Sequence, residues 1–411
     1  MSIIRWLPPL AAATCLASPA AAGPLTYDQA LKQALADAPG LKAARLQVQA
    51  ARAALPAAGA LPDPRLTAGV DNFPVSGPNA GRFGADFMTM TKVGVMQNVP
   101  NGGRRRAAVQ GAQAAISQAD AEREAAVRAV KVGAALAWID LAYAERRLAV
   151  LDEVLKTLTP LWDAQPSGVA AGRLRPGQAL APTQARAALE DRRSELIAAV
   201  GRARAELTRW TGEIAPEVAG DPPHYVIDET ALHASLEQNP TLLASRALAE
   251  RAEAEVASAR AAKRPDWSWE VAYARRDPMF GDMVSAGVTL SLPIFASTRQ
   301  DPLIAARSAE ASKALAQRED AHRTLAAQLD GDLADHVAHH EQWRRVLDTV
   351  LPAAQDRAAL ETQSYAAGRA SLADVLDAMT AFADAKLSAL EREAMVMRDG
   401  ARIVLTYGSV Q

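Results

Sequence analysis

Trp267-Ser268-Trp269-Glu270-Val271-Ala272-Tyr273-Ala274 alternates bulky apolar with small or polar side chains without a slip. After the loop from Arg276 to Asp282, Val284, Ala286, Val288, Leu290, Leu292 and Ile294 alternate in the same way with Ser285, Gly287, Thr289 and Ser291. Such alternation gives a strand one apolar and one polar face. Two earlier segments read alike. Leu66, Ala68 and Val70 alternate with Arg65, Thr67 and Asp71, and Met88 to Val99 follows less cleanly, with Lys92 on one face. Strands are therefore expected at about 64–74, 87–99, 267–275 and 283–294. Runs of about 9–12 residues suit a tilted strand crossing a bilayer. A half-buried soluble sheet with one wet face has the same periodicity. If the strands do span a membrane, four cannot close a barrel, and open edges are not tolerated in lipid. Several chains would then share one barrel, and three chains would supply twelve strands.

Working outward, the strand pairs belong to a larger repetition. Leu31 through Pro39-Gly40-Leu41-Lys42-Ala43-Ala44-Arg45 reappears as Leu232 through Pro240-Thr241-Leu242-Leu243-Ala244-Ser245-Arg246. Val93-Gly94-Val95-Met96-Gln97-Asn98-Val99-Pro100 matches Ala286-Gly287-Val288-Thr289-Leu290-Ser291-Leu292-Pro293, and Ala171-Gly172-Arg173 matches Ala367-Gly368-Arg369. Three matches in the same order, each offset by roughly 200 residues, indicate a tandem duplication. The expected halves are residues 23–228 and 229–411. Each opens with a helix (Tyr27 to about Ala60; Glu229 to about Lys263), continues with two strands and a long helix, and ends with a Gly-Arg turn and another helix.

The long helices, about Gly103 to Leu161 and about Asp301 to Tyr365, contain few breakers. At 1.5 Å per residue each runs on the order of 90 Å, too long for a compact domain. Leu148, Leu151, Leu155 and Leu158 fall three or four apart, as do Leu325, Leu329, Leu333 and Val337, which marks coiled-coil-like seams. Pro352 is expected to kink or interrupt the second. Of the 411 residues 49% are apolar and only 5% aromatic, a composition of long helices. A formal charge of −2 argues against a nucleic-acid surface and against disorder.

Residues 1–22 read as a secretory signal: Arg5, an apolar run from Trp6 to Ala17, then Ala20-Ala21-Ala22 before Gly23. The run is short for a membrane anchor. Cys15, the single cysteine, permits no intramolecular disulfide. Thr14 stands where a lipidation signal wants Gly or Ala.

This arrangement resembles the TolC-type outer-membrane efflux channel family over about Leu25 to Gly408. The resemblance rests on Leu25-Thr26-Tyr27-Asp28-Gln29-Ala30-Leu31 with Pro39, and on Val93-Gly94-Val95 through Pro100-Asn101-Gly102-Gly103-Arg104-Arg105. Its most specific piece is Ser364-Tyr365-Ala366-Ala367-Gly368-Arg369 followed by Leu372-Ala373-Asp374-Val375-Leu376-Asp377-Ala378. The resemblance implies a mainly α fold with a small β part. Long coiled-coil helices of three chains form a trimeric α-barrel in the periplasm, and four strands per chain contribute to a shared twelve-strand β-barrel in the outer membrane. It implies passive export without chemistry or cofactor, with a periplasmic adaptor and an inner-membrane pump as partners. The branch serving resistance-nodulation-division pumps, including heavy-metal exporters, has a similar texture.

Asp374 and Asp377 lie three apart at a helix start and share one face. Tripled, they would ring a tunnel end with six carboxylates, attracting cations. The resemblance assigns such acidic positions to the periplasmic entrance. First-turn aspartates also simply favour a helix N-terminus. In the first half Gln178 and Ala181 occupy the corresponding places, so only one turn carries the acidic pair. Tyr365 matches the family's gate-latch tyrosine. The latch's basic residue departs from the pattern, with Arg369 one residue early and Ala370 in its place. His336, His339 and His340, beside Asp335 and Glu341, have spacings able to bind zinc or copper, yet equally suit a solvated helix face. Met88, Met90 and Met96 suit strand packing better than copper ligation. No phosphate loop, HExxH or nucleophile elbow occurs. Two other readings remain: a soluble periplasmic coiled-coil adaptor, and a metal-binding protein built on the histidines.

Overall fold

The computed structural model of the chain describes residues 23–163 and 180–408. The signal-like segment, Cys15, the Ala171-Gly172-Arg173 turn and Gln178 lie outside the described residues. Two helices open the chain, α1 (Tyr27–Asp37) and α2 (Pro39–Ala58), followed by β1 (Arg65–Asp71), β2 (Met90–Val99) and the 62-residue α3 (Gly102–Asp163). After α4 (Leu180–Thr211) comes α5 (Glu229–Ser235), a 3-10 turn (Leu236–Gln238) and α6 (Pro240–Ala261). Then follow β3 (Trp267–Arg275), β4 (Met283–Leu290), α7 (Ala296–Arg345), a π-helical turn (Val346–Val350), α8 (Leu351–Ala366) and α9 (Leu372–Tyr407).

Where single opening helices are expected, the structure has two, and proline is the reason. Ala38 and Asn239 precede Pro39 and Pro240 and take extended conformations, with ψ of 116° and 132°. The proline ring excludes helical geometry from the residue before it, while suiting the first turn of a new helix. Pro352 acts more gently. The N–H of Leu351 reaches back five residues to the carbonyl of Val346, so the helix widens for one turn and continues in α8. A π turn absorbs the hydrogen bond that proline cannot donate. β1 ends earlier than expected because Asn72 turns into left-handed geometry (φ 55°).

The four strands form one antiparallel sheet in the order β1-β2-β3-β4. A joint of hydrogen bonds connects it to the helices. Asp266 accepts from the Asn101 backbone N–H (2.7 Å), from Asn101 Nδ2 (2.8 Å) and from Arg104 (2.7 Å). Arg105 donates twice to the Gly59 carbonyl, at 3.1 and 2.8 Å. Two arginines of the Gly-Gly-Arg stretch, Arg104 and Arg105, thus fasten α3 where strands become helices.

The core lies well away from the sheet, where α1, α3, α4 and α9 meet around Trp138, Ile139, Leu141 and Leu207, all fully buried. Trp138 packs edge-on to Tyr27 and donates Nε1–H to the Leu25 carbonyl at 2.9 Å. In α3, Gly133 lets the Trp210 ring cross the helix. A Cβ there would sit 2.2 Å from Trp210 Cζ2. Gly133→Ala is therefore expected to destabilise the fold by about 1–3 kcal/mol through overpacking. Thermal unfolding followed by circular dichroism checks it, and Trp210→Leu in the same chain should recover part of the loss.

Candidate functional site

The strand register sorts every side chain by face. Leu66, Ala68 and Val70 pair with Val95, Val93 and Thr91, and these pair on with Val271, Tyr273 and Arg275. In the next rank Trp267, Trp269, Val271 and Tyr273 pair with Leu290, Val288, Ala286 and Val284. The apolar residues thus line one continuous face. None of the described elements covers that face: Val271 is 46% and Val288 64% exposed. Trp267 and Trp269 stand at its helical end and Tyr273 towards the loop end, the placement of aromatic belts at lipid–water boundaries. The opposite face holds Thr67, Lys92, Gly94, Met96, Glu270, Ala272, Ser285 and Gly287. Across it Lys92 and Glu270 form an ion pair of 3.1 Å. Along the sequence Lys92 is only a blemish in the alternation. Its partner emerges from pairing between strands far apart in the chain. An apolar face this large and this exposed marks a membrane or protein interface. No helix among the described residues is long and apolar enough to cross a membrane.

At the far end of the helices, the turn from α8 to α9 follows from three residues. Gly368 adopts φ +73°, and its N–H bonds the Tyr365 carbonyl (2.9 Å) while Arg369 N–H bonds that of Ser364 (2.8 Å). This pair of bonds closes a helix on a left-handed glycine. Three residues on, Ser371 caps α9: its Oγ accepts from Asp374 N–H (3.2 Å), and Asp374 Oδ2 accepts from Ser371 N–H (2.8 Å) and Oγ–H (2.7 Å). Those hydrogen bonds, the hydroxyl's first, hold the Asp374 carboxyl below its ordinary value. Asp374 and Asp377 are both exposed on α9. Tyr365 and Arg369 are exposed at the same turn, and within one protomer neither bonds either aspartate. The turn therefore gathers all four residues without joining Tyr365 or Arg369 to the acids.

The three histidines point different ways. His339 Nδ1 lies 2.6 Å from Oδ2 of Asp399, a carboxylate only 6% exposed on α9. Arg402 bridges Asp399 (3.2 Å) and Asp332 (3.1 Å), and Tyr407 donates to Asp332 at 2.9 Å. His339 thus belongs to a network tying α7 to α9. His336 and His340 are ring neighbours, centroids 6.3 Å apart, and His340 packs edge-on to Trp343. Burial pushes the His336 ring below the usual imidazole range. Among the described residues no three His, Cys, Asp or Glu side chains are placed to hold a metal ion.

A sheet with an exposed apolar face and a charged, small-residue reverse, carried on helices about 90 Å long, defines a membrane-inserted β element on a long helical stalk. The comparisons with known proteins agree. The sequence model described as "Outer membrane efflux protein" matches residues 30–213 and 231–408. The chain belongs to the outer membrane efflux protein family: it is an outer-membrane duct of efflux systems. It is 26% identical over 378 residues to the cobalt-zinc-cadmium resistance protein CzcC of Cupriavidus metallidurans, covering 89% of this chain and 86% of that one. Its fold matches that of a Pseudomonas aeruginosa membrane protein with a TM-score of 0.82 at 18% identity, over 93% and 90% of the two chains. The Campylobacter jejuni CmeC outer membrane channel matches with a TM-score of 0.80 at 13% identity, over 93% and 85%.

Proposed function

We propose that three copies of this chain close one twelve-strand barrel in the outer membrane above a tunnel of their helices. Solute passes through without chemistry, driven by an inner-membrane pump that reaches the tunnel through a periplasmic adaptor. The observation that carries this is the sheet itself. Its apolar face is uncovered, and β1 and β4 are edges without a partner strand among the described residues. Lipid tolerates neither free edges nor unpaired backbone groups, so copies of the same chain must supply the missing neighbours. The two family matches in one chain support reading residues 23–228 and 229–411 as a duplicated unit. Asp374 and Asp377 form the acidic ring of the periplasmic entrance, and Tyr365 and Arg369, exposed at the same turn, act as its latch. The name of the C. metallidurans relative brings divalent transition-metal cations forward as the exported class.

The deciding experiment is the mass and heat-modifiability of the membrane-extracted protein, run beside the washed soluble fraction. A detergent-requiring trimer that changes mobility on heating is the expected result. A soluble monomer or dimer would overturn the shared barrel and leave a coiled-coil adaptor as the better account.

A further inference from the structure

The face opposite the apolar one, which the shared barrel proposed above turns to its bore, contains a charge arrangement of its own. In its middle rows, Gly69, Lys92, Ala274 and Met283 lie side by side, then Thr67, Gly94, Ala272 and Ser285, then Arg65, Met96, Glu270 and Gly287. Lys92 and Glu270 thus sit two rows apart on adjacent strands, and their ion pair bridges the row between. That row is low because it has to be. A Cβ on Gly94 would meet Ala272 Cβ at 2.8 Å, Thr67 Oγ1 at 3.0 Å and the Val271 carbonyl at 3.2 Å. With only glycine and alanine beneath it, the pair lies flat against the sheet. Arg65 at one end of β1 and Asp71 at the other complete the charges on this face, so each chain presents two cations and two anions.

We infer that Lys92 and Glu270 set the ion selectivity of the membrane segment of the duct. This inference rests on the shared-barrel reading. Paired, they leave the bore electrically neutral, and anionic and cationic solutes meet the same field. Unpaired, each imposes its own sign, three times over, on a passage whose low-dielectric wall focuses the field.

The full-length channel is reconstituted in planar bilayers under a potassium chloride gradient and its reversal potential measured. Glu270→Gln is expected to shift permeability severalfold towards chloride, Lys92→Gln severalfold towards potassium, and the double variant to return near the parent. Conducting variants that all share the parent's reversal potential, or two single variants shifting with the same sign, would overturn the inference. A parent that forms no conducting trimer would instead sink the barrel reading. A second readout needs no current. A membrane-impermeant amine-reactive reagent applied to intact cells should acylate Lys92 faster in Glu270→Gln than in the parent. Absence of Lys92 acylation in Glu270→Gln would show that the face is closed to water, and the inference would fail.

Discussion

Val271→Arg is expected to remove the protein from the detergent-requiring, heat-modifiable pool, whereas Ser285→Arg is expected to leave it there. Both positions are in the middle of strands and both are exposed, so exposure alone does not separate them. Face does. Val271 lies in the apolar rank with Val95 and Ala286, while Ser285 pairs with Ala272 on the polar side. An arginine at the bilayer midplane on the lipid face costs about 2–4 kcal/mol. Three chains multiply that to roughly 6–12 kcal/mol, which rivals the net stability of a typical fold. The same arginine in a water-filled bore keeps its hydration. Membrane fractionation followed by electrophoresis of heated and unheated samples measures the difference. Equal behaviour of the two variants would mean a soluble sheet with wet faces.

How much of this was legible beforehand follows the range of each signal. Alternation is local, so Trp267 to Tyr273 and Val284 to Leu290 could be assigned from neighbours alone, and the strands form there. The helix-closing role of Gly368 and the capping of α9 by Ser371 are equally local, each settled within about six residues. The breaks at Ala38 and Asn239 carried a readable sign, since a residue before proline leaves the helical region, but hydrophobic spacing ran on through them and concealed it. What could not be read are pairings across the chain. Lys92 meets Glu270 only once four strands are in register. His339 meets Asp399 sixty residues away, so three histidines that sit together in sequence are divided between an ion-pair network on a buried carboxylate and a half-buried ring pair. Asp399 itself, one acid in an amphipathic helix, gave no sign of burial.

Replacing Asp374 and Asp377 together with asparagine is expected to bring the cation-over-anion permeability ratio of the reconstituted channel down towards unity, while Ser371→Ala leaves it high. The comparison is needed because Asp374 does two things at once. It carries charge at the proposed entrance, and it accepts hydrogen bonds from Ser371 as half of the α9 cap. Asparagine keeps a carbonyl acceptor for the Ser371 N–H but removes the charge. Ser371→Ala does the reverse: it costs about 1 kcal/mol of helix capping and leaves both carboxylates. If Ser371→Ala lowered selectivity as far as the double asparagine variant, the aspartates would be helix-end groups only. The pH dependence has a definite sign. The Asp374 carboxyl is held below its ordinary value of 3.8, so it stays ionised in acid that begins to neutralise an unperturbed carboxylate. Its contribution to the cap is complete above that ordinary value and is lost as pH falls through the lower folded one. The share of the cation preference that Asp374 carries should accordingly persist through mild acid and be lost only beyond the usual carboxylate range. Because the paired Lys92 and Glu270 cancel in the membrane segment, the parent's preference has to originate at this other end. Neutralising the entrance therefore exposes a duct with little preference of its own, and adding Glu270→Gln to that background should turn it anion-selective.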